Sequence, residues 1–308
     1  MSIRFITQAA LAATVALFAL SAAQAQPKNK AECERAYKPQ VGQSGKDVVW
    51  VPTPNELVTR MLSMAKATAQ DYVIDLGAGD GKIAIAAAKE FGATSLGIEY
   101  NPDMVKLAQC MVQAEGVSSK TKIVQGDIFK EDFSKATVVT MYLLPELNRC
   151  VRHRVLAMKP GTRVTSHQFT MAEWEADQTA ESEYRTAYLW IVPARVGGNW
   201  SFRETGAGNL QFNVAVNQTF QKISGEVTVG DAKQPLVGAT LRGDEVRFAF
   251  NDDKGTTRTF TGTARGYEIA GSLRAAGGGE SKAAGTLQGK PVVGQWANIA
   301  DGCDRFYK

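Results

Sequence analysis

Apolar positions along the chain fall into two regimes that change over near Pro193. Before it, short β-rich runs alternate with helical ones. Tyr72–Leu76, Thr94–Glu99, Thr121–Gln125, Thr137–Leu143 and Arg163–Phe169 read as strands, and Arg185–Val192 as an edge strand. Between them lie the Ala-rich helix Ile83–Phe91, the helix Pro102–Ala114 with proline in its first turn, and Pro145–Met158, closed by Lys159-Pro160-Gly161. Alternation of this kind builds a doubly wound α/β fold, a parallel sheet with helices on both faces.

After Pro193 no helical pattern survives, and Gly, Thr and alternating apolar residues take over. Ile223–Val227, Val237–Leu241, Phe260–Ala264 and Ile269–Leu273 are similar short strands, each with an early glycine. Arg242-Gly243-Asp244 and Arg265-Gly266-Tyr267 fall between strands as turns, and the Gly-rich Ala275–Gly279 reads as a mobile loop. The spacing predicts an all-β antiparallel barrel or sandwich of about eight strands. Trp200, Phe202, Phe212, Phe248, Phe250 and Trp296 alternate with polar residues, as its interior requires.

The first residues belong to neither regime. Arg4 precedes the apolar, Ala-rich run Ala9–Leu20, and Ala23-Gln24-Ala25 supplies a small-x-small cleavage pattern. The run is shorter than the roughly 20 residues a spanning helix needs. The expectation is a cleavable signal peptide over 1–25, cut after Ala25, and a periplasmic or secreted mature chain with no transmembrane segment. Four parts follow: the leader, an N-terminal segment 26–47, an α/β domain 48–193 and a β-domain 194–308.

Composition changes this picture little. The formal charge of +4 loses only Arg4 with the leader, leaving +3, and no Lys/Arg run carries interleaved aromatics, so no nucleic-acid partner is expected. No Cys/His spacing suggests a metal, His153 and His167 being the only histidines. Export would permit disulfides. Cys33 and Cys303 lie in unpatterned polar sequence near opposite ends, which favours a bridge between them. Cys110 and Cys150 each follow a leucine by three on a helical pattern and read as buried core thiols.

The chemistry concentrates in Val73–Lys82, an apolar strand that runs through Gly77, Gly79 and Gly81 into a helix. Glycines let the backbone approach a ligand, and the helix start offers free N–H groups to the same cleft. A dinucleotide fingerprint would want glycine where Lys82 stands, which argues against a nicotinamide-dependent oxidoreductase. Asp75 would repel a pyrophosphate but suits the ammonium of an amino-acid cofactor. Glu99 ends the second strand, 18 residues after Gly81, where a carboxylate can take both hydroxyls of a ribose. Asp127, in Gln125-Gly126-Asp127-Ile128-Phe129, suits an adenine amino group beside apolar neighbours. Three acids at successive strand ends, in register with one glycine turn, define a cofactor site.

These segments resemble class I S-adenosylmethionine (SAM)-dependent methyltransferases, with a seven-strand Rossmann-like sheet. The motifs are VIDLGAGDGK, GIEYNP and QGDIF, extended by VVTMYLLPELN and MKPGTRVTSHQF over roughly 120 residues. With Val51-Pro52-Thr53-Pro54 upstream, the chain is similar to small lysine methyltransferases of the mitochondrial adenine-nucleotide-translocase and ATP-synthase type. The resemblance implies methyl transfer from SAM to a protein side chain, lysine in that narrower group. It places Asp75, Gly77, Gly79 and Gly81 on the methionine part, Glu99 on the ribose, Asp127 on the adenine, and Thr53 closing over the cofactor. Tyr142 and Glu146 fall where such enzymes surround the transferred methyl, and MYLLPE replaces the NPPY of amide and adenine N-methyltransferases. Tyr142 is equally readable as core, and Glu146 as a first-turn acid favoured by the helix dipole. His167, ending a strand, is a further candidate. Two competing readings stay open: an exported, non-catalytic binder of SAM or a nucleoside, and a β-barrel that holds a ligand or partner on a scaffold methyltransferase fold. The resemblance does not reach past Pro193.

Overall fold

A computed structural model describes residues 29–182, 185–205 and 209–308. The expected leader and its cut after Ala25 lie outside the described residues. Among the described residues five α-helices are formed: α1 (Lys30–Ala36), α2 (Asn55–Met64), α3 (Lys82–Phe91), α4 (Pro102–Ala114) and α5 (Pro145–Leu156). The first sheet comprises β1 (Tyr72–Leu76), β2 (Thr94–Glu99), β3 (Thr121–Gln125), β4 (Val138–Met141), β5 (Arg163–His167), β6 (Gln178–Ser182) and β7 (Arg185–Ile191). Its order is β3-β2-β1-β4-β5-β7-β6.

Strands β1 to β5 are parallel, the chain returning through α3 after β1, α4 after β2, a turn-rich connection after β3 and α5 after β4, and β7 pairs antiparallel with β5. The strand order reverses at β1, which has β2 on one side and β4 on the other. A crevice opens at that reversal, beyond the carboxyl ends of the strands. Register sets its chemistry: Asp75 pairs with Gly97 on one side and Thr140 on the other, and Glu99 with Gln125. The edge assignment needs correction. Arg185–Ile191 is an inner strand, covered by β6, whose polar sequence QTAES carries no apolar signal.

The second sheet has nine strands rather than about eight: β8 (Gly198–Thr205), β9 (Gln211–Thr219), β10 (Lys222–Val229), β11 (Ala232–Pro235), β12 (Val237–Arg242), β13 (Glu245–Asn251), β14 (Thr257–Arg265), β15 (Glu268–Ala275) and β16 (Glu280–Gln288). Its order is β11-β10-β9-β8-β16-β15-β14-β13-β12, antiparallel throughout, and β16 pairs with β8 to join last to first. The chain entering β12 turns back on β10 through the Leu236 N–H donated to the Gly225 carbonyl, 2.9 Å, leaving a nearly closed barrel. Alternate residues of β8 and β9 are buried and exposed in turn. The interior is filled. Phe202 stacks on Phe212 at 4.9 Å and Phe248 on Phe260 at 5.1 Å, with Trp200 and Phe250 buried beside them. Trp296 departs from that set, packing on Phe220 at 5.2 Å against the first sheet's core.

The recurrent glycines have a steric reason. Gly262 faces Gly271 across β14 and β15. A Cβ on Gly271 would lie 2.0 Å from the Thr261 carbonyl oxygen and 2.3 Å from Gly262 Cα. Backbone cannot swing aside, so Gly271→Ala is expected to destabilise the barrel by about 1–3 kcal/mol, the usual cost of overpacking. A lowered urea midpoint at unchanged slope is the expected reading, and an unchanged midpoint would contradict it.

The helix α1 and the C-terminal tail are fastened by disulfides, and not as the sequence suggested. Cys33 on α1 bonds Cys110 on α4, Cα atoms 5.7 Å apart, and Cys150 on α5 bonds Cys303 in the C-terminal tail, 5.2 Å apart. The expected Cys33–Cys303 bridge is replaced by two tethers, each to a helix of the α/β domain. The helical spacing of Cys110 and Cys150 is that of residues facing a covering segment as much as a core.

Candidate functional site

The crevice at the strand reversal is an open cleft of about 980 Å³, counting the part open to solvent. Its floor is the turn from β1 to α3. Gly77, Gly79 and Gly81 all take positive φ, 78°, 57° and 81°, a region that residues with a Cβ seldom adopt. Space is short as well: a Cβ on Gly79 would sit 2.8 Å from Trp50 Nε1, and one on Gly81 3.0 Å from Ala108 Cβ. The turn is therefore clamped between α4 and the indole of Trp50.

Asp75 ends β1 almost fully buried. Its Oδ1 accepts from the Thr140 hydroxyl at 2.7 Å. Burial drives its pKa up to about 7, with the charges of Asp80 and Glu99 adding and the Thr140 hydrogen bond opposing. Glu99 grips the turn with both oxygens: Oε2 accepts from the Gly79 N–H and Oε1 from the Asn101 N–H, each 2.8 Å. Asp127 Oδ1 accepts from the Phe129 N–H at 3.0 Å, and Oδ2 pairs with Lys46 at 2.7 Å. Asp75, Glu99 and Asp127 all line the one cleft with Thr53, Gly77, Gly79 and Tyr142. Gly81 lies just behind, capping α3.

Other placements differ from expectation. The Thr53 hydroxyl is buried on His167 Nδ1 at 3.1 Å, and the Tyr142 ring covers the His167 ring at 3.7 Å between centroids. His167 thus backs the wall behind Thr53 and Tyr142, and burial, with the charge of Arg185, holds its pKa down at about 4. It is a neutral ring at working pH. Glu146 stands outside the cleft, paired with Arg305 at 2.8 Å.

Sequence reading passed over two contributors. Lys82 reaches from the first turn of α3 to the Thr53 carbonyl at 3.1 Å, tying the VPTP segment to the glycine turn. Residues 42–50 fold into a small hairpin, with Gly42 N–H to the Trp50 carbonyl at 2.8 Å and Trp50 N–H to the Gln43 carbonyl at 2.9 Å. It lays Lys46 and Trp50 over the cleft. Gly42, Gly45 and Trp50 were its signal, too short to register as strands.

The family model for the ANTKMT methyltransferase domain matches residues 75–178, which hold the end of β1, β2 to β5 and the acids Asp75, Glu99 and Asp127. A protein-lysine N-methyltransferase of Saccharolobus islandicus is 40% identical over 151 residues, covering 47% of this chain and 94% of that protein. The chain belongs to the ANTKMT-type methyltransferase family. The methyltransferase is also 28% identical to the mouse adenine nucleotide translocase lysine N-methyltransferase over 171 residues, spanning 55% of this chain and 70% of the mouse enzyme. A crystal structure described as an RNA methyltransferase from Salinibacter ruber in complex with S-adenosyl-L-homocysteine is 44% identical, covers 47% of this chain and 96% of that one, and superposes with a TM-score of 0.47. The β-barrel and the C-terminal tail lie beyond the matched family domain.

SAM is the methyltransferase's cofactor, and the cleft fits it. Asp75 presents a buried carboxyl with one oxygen outside any protein hydrogen bond, the glycine turn is a cradle that any Cβ would obstruct, and Glu99 and Asp127 continue the acidic side. Among the described residues no cluster of three or more His, Cys, Asp or Glu is arranged to hold a metal, and no helix is long and apolar enough to cross a membrane.

Proposed function

We propose that this methyltransferase acts on lysine side chains of proteins outside the cytoplasm, after export behind a leader cut following Ala25. The lysine reading is carried by the identity to a protein-lysine N-methyltransferase along almost its whole length. Export is supported by the leader pattern and by the cysteines, all four of which pair in disulfides, as suits an oxidising compartment.

Within this reading, Asp75 and the turn through Gly77, Gly79 and Gly81 take the amino-acid end of the cofactor, Glu99 the ribose hydroxyls, and Asp127 the adenine. Bound SAM supplies an electrophilic methyl on a sulfonium. Lys46, held by Asp127, shares that carboxylate with the adenine amino group. Thr53 fixes the wall through His167, and Lys82 locks that wall to the glycine turn. Tyr142, Leu143 and Leu147 give the methyl end apolar walls. Such walls favour the neutral amine of a lysine over its ammonium, so the incoming group sheds its proton to water before attack.

A pH dependence follows. Without ligand Asp75 keeps its proton up to about pH 7, whereas a cationic ligand favours the carboxylate. Binding below that pH therefore expels a proton. SAM affinity is expected to climb roughly tenfold per pH unit up to about 7 and to flatten above it. Asp75→Asn should remove the slope, and a wild-type affinity level from pH 5 to 8 would count against the assignment.

The function itself is tested with methyl-labelled SAM and residues 26–308 incubated with an exported-protein fraction, followed by complete hydrolysis. Label recovered as methylated lysine supports the reading. Label on another amino acid, or only on RNA offered in parallel, overturns it.

A further inference from the structure

Beside the cofactor cleft lies a second groove that the family-matched segment does not complete. The hairpin gives Lys46 and Asp47, the start of α5 gives Leu144, Glu146 and Leu147, and the C-terminal tail gives Arg305 and Phe306. Lys46, Asp47 and Leu147 also line the cofactor cleft, so the two spaces are continuous. The groove meets the cleft at the segment after β4, beside Tyr142 and Leu143. Its Leu144 and Leu147 adjoin Tyr142 and Leu143, the walls assigned to the methyl end.

The tail is held there firmly. The bridge from Cys150 to Cys303 anchors it on α5, the Tyr307 hydroxyl donates to the Cys150 carbonyl at 2.7 Å, and Phe306 stacks on Phe129 at 4.6 Å. Arg305 is thereby delivered onto Glu146, both side chains being more than half exposed. The groove's four charged groups balance, Lys46 and Arg305 against Asp47 and Glu146, and Arg305 already places one cation on Glu146. Leu144, exposed at the rim, adds apolar surface for a hydrocarbon stem, while Phe306 lies buried beneath the Arg305 guanidinium, 4.8 Å from its ring centroid.

Resting on the lysine reading above, we infer that this groove docks the acceptor: a polypeptide segment whose lysine stem lies along Leu144 while its ammonium is drawn in by Glu146. Arg305 is the gate. It occupies Glu146 in the free enzyme and is displaced when a cationic side chain arrives, so the pair selects a lysine over a neutral side chain of the same length. Glu146 positions the acceptor, and the proton of the ammonium goes to solvent. The tail thus links the β-barrel, from which it emerges, to substrate choice in the other domain.

The test uses the mature chain loaded with S-adenosylhomocysteine and a blocked alanine pentapeptide with a central lysine, beside the same peptide with norleucine. The lysine peptide is expected to bind about tenfold more tightly than the norleucine peptide, the scale of one charge-assisted contact. Glu146→Gln should erase that preference, and Arg305→Ala should strengthen lysine-peptide binding about threefold by freeing Glu146. S-adenosylhomocysteine affinity should be unchanged in both variants, which certifies their folding. No binding of the lysine peptide, equal binding of the two peptides, or a preference that survives Glu146→Gln overturns the docking site. Replacing S-adenosylhomocysteine with SAM separates the two claims. Binding without methyl transfer would keep the groove and sink the lysine reading, while transfer indifferent to Glu146 and Arg305 would do the reverse.

Discussion

Replacing Glu99 by alanine is expected to weaken SAM binding by about a hundredfold, a loss of roughly 2.7 kcal/mol. Two effects converge on this side chain. Its oxygens hold the Gly79 and Asn101 N–H groups, so the variant releases the turn that forms the cleft floor and the start of α4. The same carboxylate is assigned to the ribose hydroxyls, and each charge-assisted hydrogen bond contributes about 1.5–3 kcal/mol. Glu99→Gln keeps one acceptor oxygen and should recover part of the affinity. The barrel does not touch this residue, so far-ultraviolet circular dichroism should be preserved. An affinity within about threefold of wild type would remove Glu99 from the binding assignment.

The second large effect concerns the tethered tail. The bond between Cys150 and Cys303 spans a sequence separation of 153, and cross-links over long loops stabilise by about 2–4 kcal/mol. Joint replacement of both cysteines by serine is expected to lower the thermal midpoint by roughly 5–15 °C. The loss should reach the site as well. A released tail withdraws Phe306 and Tyr307 from Phe129, which follows Asp127 and Ile128 in the adenine-side loop, and withdraws Arg305 from Glu146. Breaking the bond from Cys33 to Cys110 instead frees α1 and slackens the hairpin that carries Trp50 over the glycine turn. A double serine variant at Cys150 and Cys303 that melts within about 2 °C of wild type would show that the tail is held by its noncovalent contacts alone.

Much of the α/β half was legible because its elements carry their own punctuation. Pro102 and Pro145 open helices, Gly81 and Gly92 bracket α3, and continuous apolar runs mark the buried parallel strands. The three acids were readable for the same reason: each lies at or just past the end of a strand whose register is fixed by its neighbours. What stayed hidden was decided by distant segments. The strand Gln178–Ser182 is polar because it forms the edge, so nothing apolar announced it. Cys110 and Cys150 sit at helical positions that would equally suit a core, and only the return of α1 and the tail gives them partners. Trp296 alternates like a barrel residue, yet the tail has already left the barrel when it packs on Phe220. The partner of Glu146, Arg305, lies 159 positions away, and nothing local to Glu146 announced it. The aromatic set from Trp200 to Phe250 fills the barrel interior, which disfavours an apolar ligand there.

The most direct test is calorimetric titration of residues 26–308 with SAM at pH 8, where Asp75 is ionised. The account predicts one-to-one binding in the micromolar range, with an affinity that falls when the titration is repeated at pH 6. Heats of dilution alone, from a protein whose circular dichroism and melting show it folded, would contradict a working SAM site in this cleft.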